Sequence, residues 1–301
     1  MLLPLEVRSI PAGIWTYGST GVVGQAANQA TGWLTSRAIH LVPGKNVEWH
    51  PPIGRTEFEA WLNDVASALQ TRVASWVVQL PADRRRRRFN LLLLDDQRIP
   101  VGFAKFTTNA SNQLALSVMS SFREQSPYSF WAPAMVLDGR IGEYSFVVST
   151  AMPNQRHRPA KLTPQQRHLI IHEVQERFAH LVPKPSVVVH GDFAPWNVRE
   201  LRDGRVALVD WEETTEGVLA ADELWWTVCA LAKNAHRRAT RYEEVMAPSG
   251  YSDDDLAAAA RFWLARLARS QPTEVDASVA MPDRFRSYSE RIQALLQRFA
   301  S

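Results

Sequence analysis

The sequence predicts an α+β chain in which a small strand-rich lobe precedes a larger helical lobe, with an N-terminal extension of unclear role ahead of both. Three observations predict it. Apolar runs of strand length gather between Trp76 and Ser149, helix caps and wide apolar faces dominate from Thr163 onward, and residues 1–75 show neither texture cleanly. The expected boundaries are 1–75, 76–150 and 151–301.

Within the extension, Gly18, Gly21 and Gly24 are spaced GxxGxxG and no convincing apolar strand feeds them, so a loop is expected and not a phosphate cradle. Glu57 to Leu69 has the apolar spacing of an amphipathic helix. Three strands follow, Trp76–Leu80, Phe89–Leu94 and Ile99–Phe106, with Asp95–Arg98 as the polar turn between the last two. By the two-residue period, Ile99, Val101, Phe103 and Lys105 share one face of the third strand. That puts one cation on an otherwise apolar face. A further strand, Tyr144–Ser149, ends at Ala151-Met152-Pro153, where proline stops it.

The helical lobe opens with Thr163-Pro164-Gln165-Gln166. This is an N-cap, a proline at the first helical position and a glutamine in the capping-box position, and it starts a helix toward His180. His168 and His172 on it lack the HExxH order and are expected to be ordinary histidines. Beyond Asp222 the pattern is helical almost to the end, with Trp225, Trp226, Val228 and Leu231 on a buried face. Ser252 caps a helix whose first turn holds Asp253, Asp254 and Asp255, which complement its dipole.

Composition excludes several classes. With 301 residues, 46% of them apolar and 22% charged, the chain is neither disordered nor collagenous. Its one cysteine, Cys229, allows no internal disulfide and no cysteine-rich zinc site. No window approaches the ~20 apolar residues of a membrane helix, and Glu6 interrupts the short apolar start. The expectation is a cytoplasmic protein with no membrane partner; its oligomeric state is unassigned. The net charge of +3 names no partner, but Arg84 to Arg88 form one basic run, which is either solvated or a phosphate contact.

The chemistry lies in Ser186 to Glu212. Val187-Val188-Val189 lead into His190-Gly191-Asp192, and Asn197 follows five residues after Asp192. A hairpin turning at Asp203-Gly204 returns through Val206–Val209 to Asp210. Phosphoryl transfer from ATP needs a carboxylate to orient and deprotonate the attacking hydroxyl and oxygen ligands to hold magnesium. Asp192, Asn197 and Asp210 fit those posts.

HGDFAPWN followed after a strand, a turn and a strand by VDWE resembles the aminoglycoside phosphotransferase and choline kinase-like family, whose fold is that of the protein kinases. The resemblance implies an ATP- and magnesium-dependent small-molecule kinase. Asp192 would be its catalytic base, Asn197 and Asp210 its magnesium ligands, and His190 a support of the loop. Gly102-Phe103-Ala104-Lys105 matches the family's lysine strand, which gives Lys105 the α- and β-phosphates. Asp222, in Ala221-Asp222-Glu223-Leu224, resembles the aspartate that braces the catalytic loop. The adenine is expected beside Ser149, Ala151 and Met152, with Phe103 in its roof and Arg86 and Arg88 as candidate triphosphate contacts.

The chain also departs from the family's pattern. No Asp or Glu lies between Lys105 and Phe122 to pair with the lysine, and a glycine-rich loop is missing. Asp-Trp-Glu stands where Asp-x-Asp is commoner, which leaves open whether Glu212 reaches a second magnesium. Two other readings therefore stand beside the active kinase: a catalytically weak, nucleotide-binding regulatory protein, and, least favoured, an Arg-rich nucleic-acid binder. The acceptor is a hydroxyl of a sugar or glycan, an amino alcohol or an aminoglycoside. The lack of an acidic cluster beyond the helix cap favours a neutral, glycan-type hydroxyl.

Overall fold

A computed structural model describes residues 53–79, 88–109, 111–153, 158–201, 203–233, 250–269 and 283–301. The chain divides into two units. Of the described residues, the first takes in those from 53 to 111 with 119–125 and 132–158, and the second takes in those of 112–118, 126–131 and 159–301. Gly18, Gly21, Gly24 and Arg84 to Arg87, among them the candidate Arg86, lie outside the described residues.

The first unit is organised by an antiparallel sheet of β1 (Ser75–Gln79), β2 (Arg88–Leu94), β3 (Pro100–Thr107), β4 (Met135–Ile141) and β5 (Tyr144–Thr150), in the order β1-β2-β3-β5-β4. Leu91 to Leu94 are all buried because β2 is covered on both faces. Leu91 and Leu93 pack with Phe58, Trp61 and Val65 of helix α1 (Arg55–Leu69), while Leu92 and Leu94 join Val77 and Phe103 on the other face. Trp61 seats the helix edge-on against Phe106 and Phe146, with ring centroids 5.0 and 5.9 Å away. Helix α2 (Gln113–Glu124), divided between the two units after Val118, buries Ala115, Val118 and Phe122 at helical spacing.

The expected turn after β2 is an Asx turn. The Asp95 carboxylate accepts from the N–H groups of Gln97 and Ile99, each at 2.8 Å. Burial alternates strictly along β3, with Gly102, Ala104 and Phe106 toward α1 and Phe103 and Lys105 opposite. β4 has no counterpart among the expected strands. Its Asp138, Gly139 and Arg140 lie on the outermost strand, where no apolar alternation is needed.

After the two-residue strand β6 (Arg158–Pro159), the second unit continues with helix α3 (Pro164–Arg177). Its capping box is complete: Gln166 N donates to Thr163 Oγ1 at 3.2 Å, and Thr163 N donates to Gln166 Oε1 at 2.9 Å. Strand β7 (Val187–Val189) pairs with β10 (Thr215–Gly217), and β8 (Val198–Glu200) pairs with β9 (Val206–Leu208) around the expected turn, where Gly204 has φ +84°. Helices α4 (Ala221–Lys233), α5 (Asp253–Arg269) and α6 (Asp283–Ala300) share a core of Leu224, Val228, Ala259, Trp263, Ile292 and Leu296. Arg167 and Glu223 form an ion pair inside this unit, with Arg167 Nη2 2.6 Å from Glu223 Oε1 and both side chains buried.

The α+β class expected from the pattern is the one observed. Among the described residues, no helix is long and apolar enough to cross a membrane.

Candidate active site

The pairing of β7 with β10 carries the chain to His190, and a sharp turn follows at Gly191, where φ is +81°. Only glycine serves here. A Cβ at residue 191 would stand 1.8 Å from the carbonyl oxygen of Glu213.

His190 is 1% exposed and is held on both ring nitrogens. Nδ1 accepts the Asp192 backbone N–H at 3.2 Å, which makes Nε2 the protonated nitrogen, and Nε2 lies 3.1 Å from the carbonyl of Val209. Its ring packs against Trp211 at 4.5 Å. Val209 in turn donates its N–H to the carbonyl of Asn197 at 3.0 Å. The residue before Asp210 is thereby tied to both ends of the His190–Asn197 loop.

Asp222, at the start of α4, is 1% exposed and accepts two backbone N–H groups, from His190 at 2.7 Å and Gly191 at 3.3 Å. Burial pushes its carboxyl up to about 7 even though both bonds favour the anion. The side chain clamps the turn that presents Asp192.

Asp192 is held on both carboxylate oxygens. Oδ1 accepts Trp225 Nε1–H at 2.9 Å, and Oδ2 accepts Asn197 Nδ2–H at 2.7 Å. The same amide donates to the Asp192 carbonyl at 2.9 Å. Burial raises the carboxyl to about 6, the bonds from Trp225 and Asn197 oppose the rise, and the charges of Asp210 and Glu213 add to it. Asp192, Asn197 and Asp210 are thus brought to one place.

Asp210 adopts left-handed backbone, φ 70° and ψ 52°, a conformation that costs a non-glycine residue about 1 kcal/mol or more and clusters at functional positions. Asn197 is 3% exposed, and its amide nitrogen faces Asp192, which turns Oδ1 to the other side. Among the described residues, no group of three or more His, Cys, Asp or Glu is placed to hold a metal alone. An amide oxygen beside a carboxylate fits an ion that takes its remaining ligands from phosphate and water, as magnesium does. Glu212 stands in the short 3-10 turn after Asp210, where its carbonyl accepts Asn112 Nδ2–H at 3.1 Å.

The remaining candidates belong to the first unit. Lys105 lies with its Nζ 5.9 Å from the Phe103 ring centroid. Ser149 is 6% exposed, and its Oγ donates to the Phe103 carbonyl at 3.4 Å. The Ala151 N–H donates to Val101 O at 3.3 Å, and Met152 is half-buried beside it. Arg88 is the half-buried first residue of β2, opposite Thr107.

Sequence reasoning missed three contributors. Trp225 was expected only as part of a buried face, and Glu213 and Arg266 were not singled out. One signal was present: Asp222 and Trp225 are three residues apart on a helix, which puts both on one side.

Residues 137–247 match the model of the phosphotransferase enzyme family, a stretch that holds every residue of the loop and its Asp222 clamp. No curated protein sequence matches the chain. Among solved structures, the aminoglycoside phosphotransferase APH(4)-Ia is similar at 15% identity, covering 82% of this chain and 100% of its own, with a TM-score of 0.49. The amicoumacin kinase hAmiN, in complex with AMP-PNP, Ca2+ and Ami, has 10% identity, covers 81% and 96%, and scores 0.47. Choline kinase LicA from Streptococcus pneumoniae has 12% identity, covers 81% and 99%, and scores 0.45. Residues 137–247, which carry the His-Gly-Asp turn, the amide and the returning aspartate, are the part of the chain that is similar to the phosphotransferase enzyme family.

Proposed function

We propose that the protein transfers the γ-phosphate of ATP, with magnesium, to a hydroxyl of a small molecule. One observation carries the reading: Asp192, held on both oxygens, shares its site with the Asn197 amide and the charge of Asp210. Asp192 receives the proton of the acceptor hydroxyl, and the bonds from Trp225 and Asn197 fix the direction of its remaining lone pairs. Asn197 and Asp210 hold the metal, and Glu212 is a candidate for a second one. Magnesium, when bound, neutralises charge on the transferring phosphate. His190 and Asp222 keep the turn rigid, so little reorganisation is left for the reaction itself. Lys105 is assigned to the phosphates, Phe103, Ser149, Ala151 and Met152 to the base, and Arg86 and Arg88 to the triphosphate. The protein works in the cytoplasm, and a neutral, glycan-type hydroxyl is the favoured acceptor.

The test is a screen of hydroxyl-bearing metabolites and aminoglycosides for acceptor-stimulated ADP release. With the acceptor found, Asp192→Ala should lower turnover by about 10² to 10⁴ while nucleotide still binds. Asp210→Ala should weaken Mg-ATP binding as well. Because the base must be ionised, turnover should fall as pH drops through about 6, the value to which burial raises Asp192. Wild-type turnover in Asp192→Ala would refute the assignment.

A further inference from the structure

Two side chains of α5, outside the stretch that matches the family, reach the catalytic loop by separate routes. Trp263 is buried and fixed by its own indole N–H, which donates to the Ala221 carbonyl at 2.7 Å. Its ring lies flat on that of Trp225, with centroids 4.2 Å apart and planes 22° from parallel. The Trp225 indole, so held, donates to Asp192 Oδ1. One turn further along α5, Arg266 Nη2 donates to the Glu213 carboxylate at 2.7 Å and to its carbonyl at 3.1 Å. That carbonyl is the atom against which Gly191 packs. Trp263 and Arg266 are three residues apart and share a helix face, with the guanidinium 5.8 Å from the indole centroid.

We propose that α5 is the buttress of the catalytic aspartate. Trp225 and Trp263 position the Asp192 carboxylate, and Arg266 positions the turn at Gly191 through Glu213. The physical argument is one of direction. Asn197 alone leaves the carboxylate free to rotate about its bond to Oδ2, and a second donor on the other oxygen removes that freedom. A reacting group misplaced by about 1 Å costs on the order of 10²-fold in rate, so removing the second donor should be felt in turnover and hardly in nucleotide affinity. The kinetic half of the inference rests on the phosphotransferase reading given above. The structural half does not.

The structural half is read by ¹H–¹⁵N spectra of the full chain, whose eleven tryptophans each contribute one indole signal. Trp225→Phe removes one signal and so identifies it, and Asp192→Asn should then displace that signal more than any other indole. A Trp225 signal unmoved in Asp192→Asn overturns the proposal. In kinetics, Trp225→Phe should lower kcat about tenfold with the KM for ATP within about twofold of wild type. Arg266→Met should act in the same direction, and Arg266→Lys should recover part of the loss. Wild-type kcat in Trp225→Phe also overturns it. Should Asp192→Ala itself retain turnover, the phosphotransferase reading fails, and the spectra alone decide for or against the buttress.

Discussion

In the first unit, Leu91, Leu93, Ala104, Phe106 and Val148 are buried against α1 and are held by apolar contact. In the second, the turn from His190 to Asn197 is held by hydrogen bonds reaching it from residues 19, 32 and 33 positions away. The difference is one of tolerance. Apolar burial is non-directional and accepts changes of volume at a graded cost. A bond to one carboxylate oxygen either points or does not, and phosphoryl transfer depends on where atoms point.

The largest expected effect breaks the loop. Gly191→Ala would bring a methyl group to 1.8 Å from the Glu213 carbonyl at a residue whose φ is +81°. The loss should be at least about 3 kcal/mol in urea denaturation, with turnover abolished. A variant as stable and active as wild type would mean that the turn moves freely away from Glu213, and the contrast between the two regions would be gone.

Next comes a comparable loss from the sheet. Leu91 is fully buried on β2, so Leu91→Ala should cost about 3 kcal/mol. Its turnover per folded molecule should stay at the wild-type level. If kcat fell as steeply as in a loop variant, the sheet would share the directional demand assigned here to the loop alone.

The same contrast explains what was legible beforehand. Apolar runs of strand length placed β1, β2, β3 and β5 within a residue or two, and the Thr163 cap located α3, because these signals are local. The outermost strand β4 carries Asp138, Gly139 and Arg140 and has no apolar alternation to read. At the site, the His-Gly-Asp turn and the amide at a fixed offset were visible because chain geometry joins them. The indole of Trp225, the Glu213 carbonyl and Arg266 were not, since each acts across 22 or more residues, from Gly191 to Glu213 at the nearest. Folding alone brings them into contact.

The smallest effect concerns Asp222, where the two kinds of bonding meet in one side chain: a carboxylate that accepts two N–H groups yet lies 1% exposed. Burial outweighs the bonds and raises its carboxyl from 3.8 to about 7. Between those values the folded chain binds more protons than the unfolded one, so stability falls as pH rises. The contribution is complete below about 3.8 and is lost as pH passes through about 7. Asp222→Asn keeps an acceptor for one N–H and has no charge to bury, so its own stability carries no such slope. At pH 5 the variant should be less stable than wild type by about 1 kcal/mol or more, the usual worth of a lost bond. The gap should narrow by pH 8, as read from urea midpoints at each pH. A gap that stayed constant or widened would mean that the two N–H bonds outweigh desolvation, and that the clamp on the catalytic turn is an anion throughout.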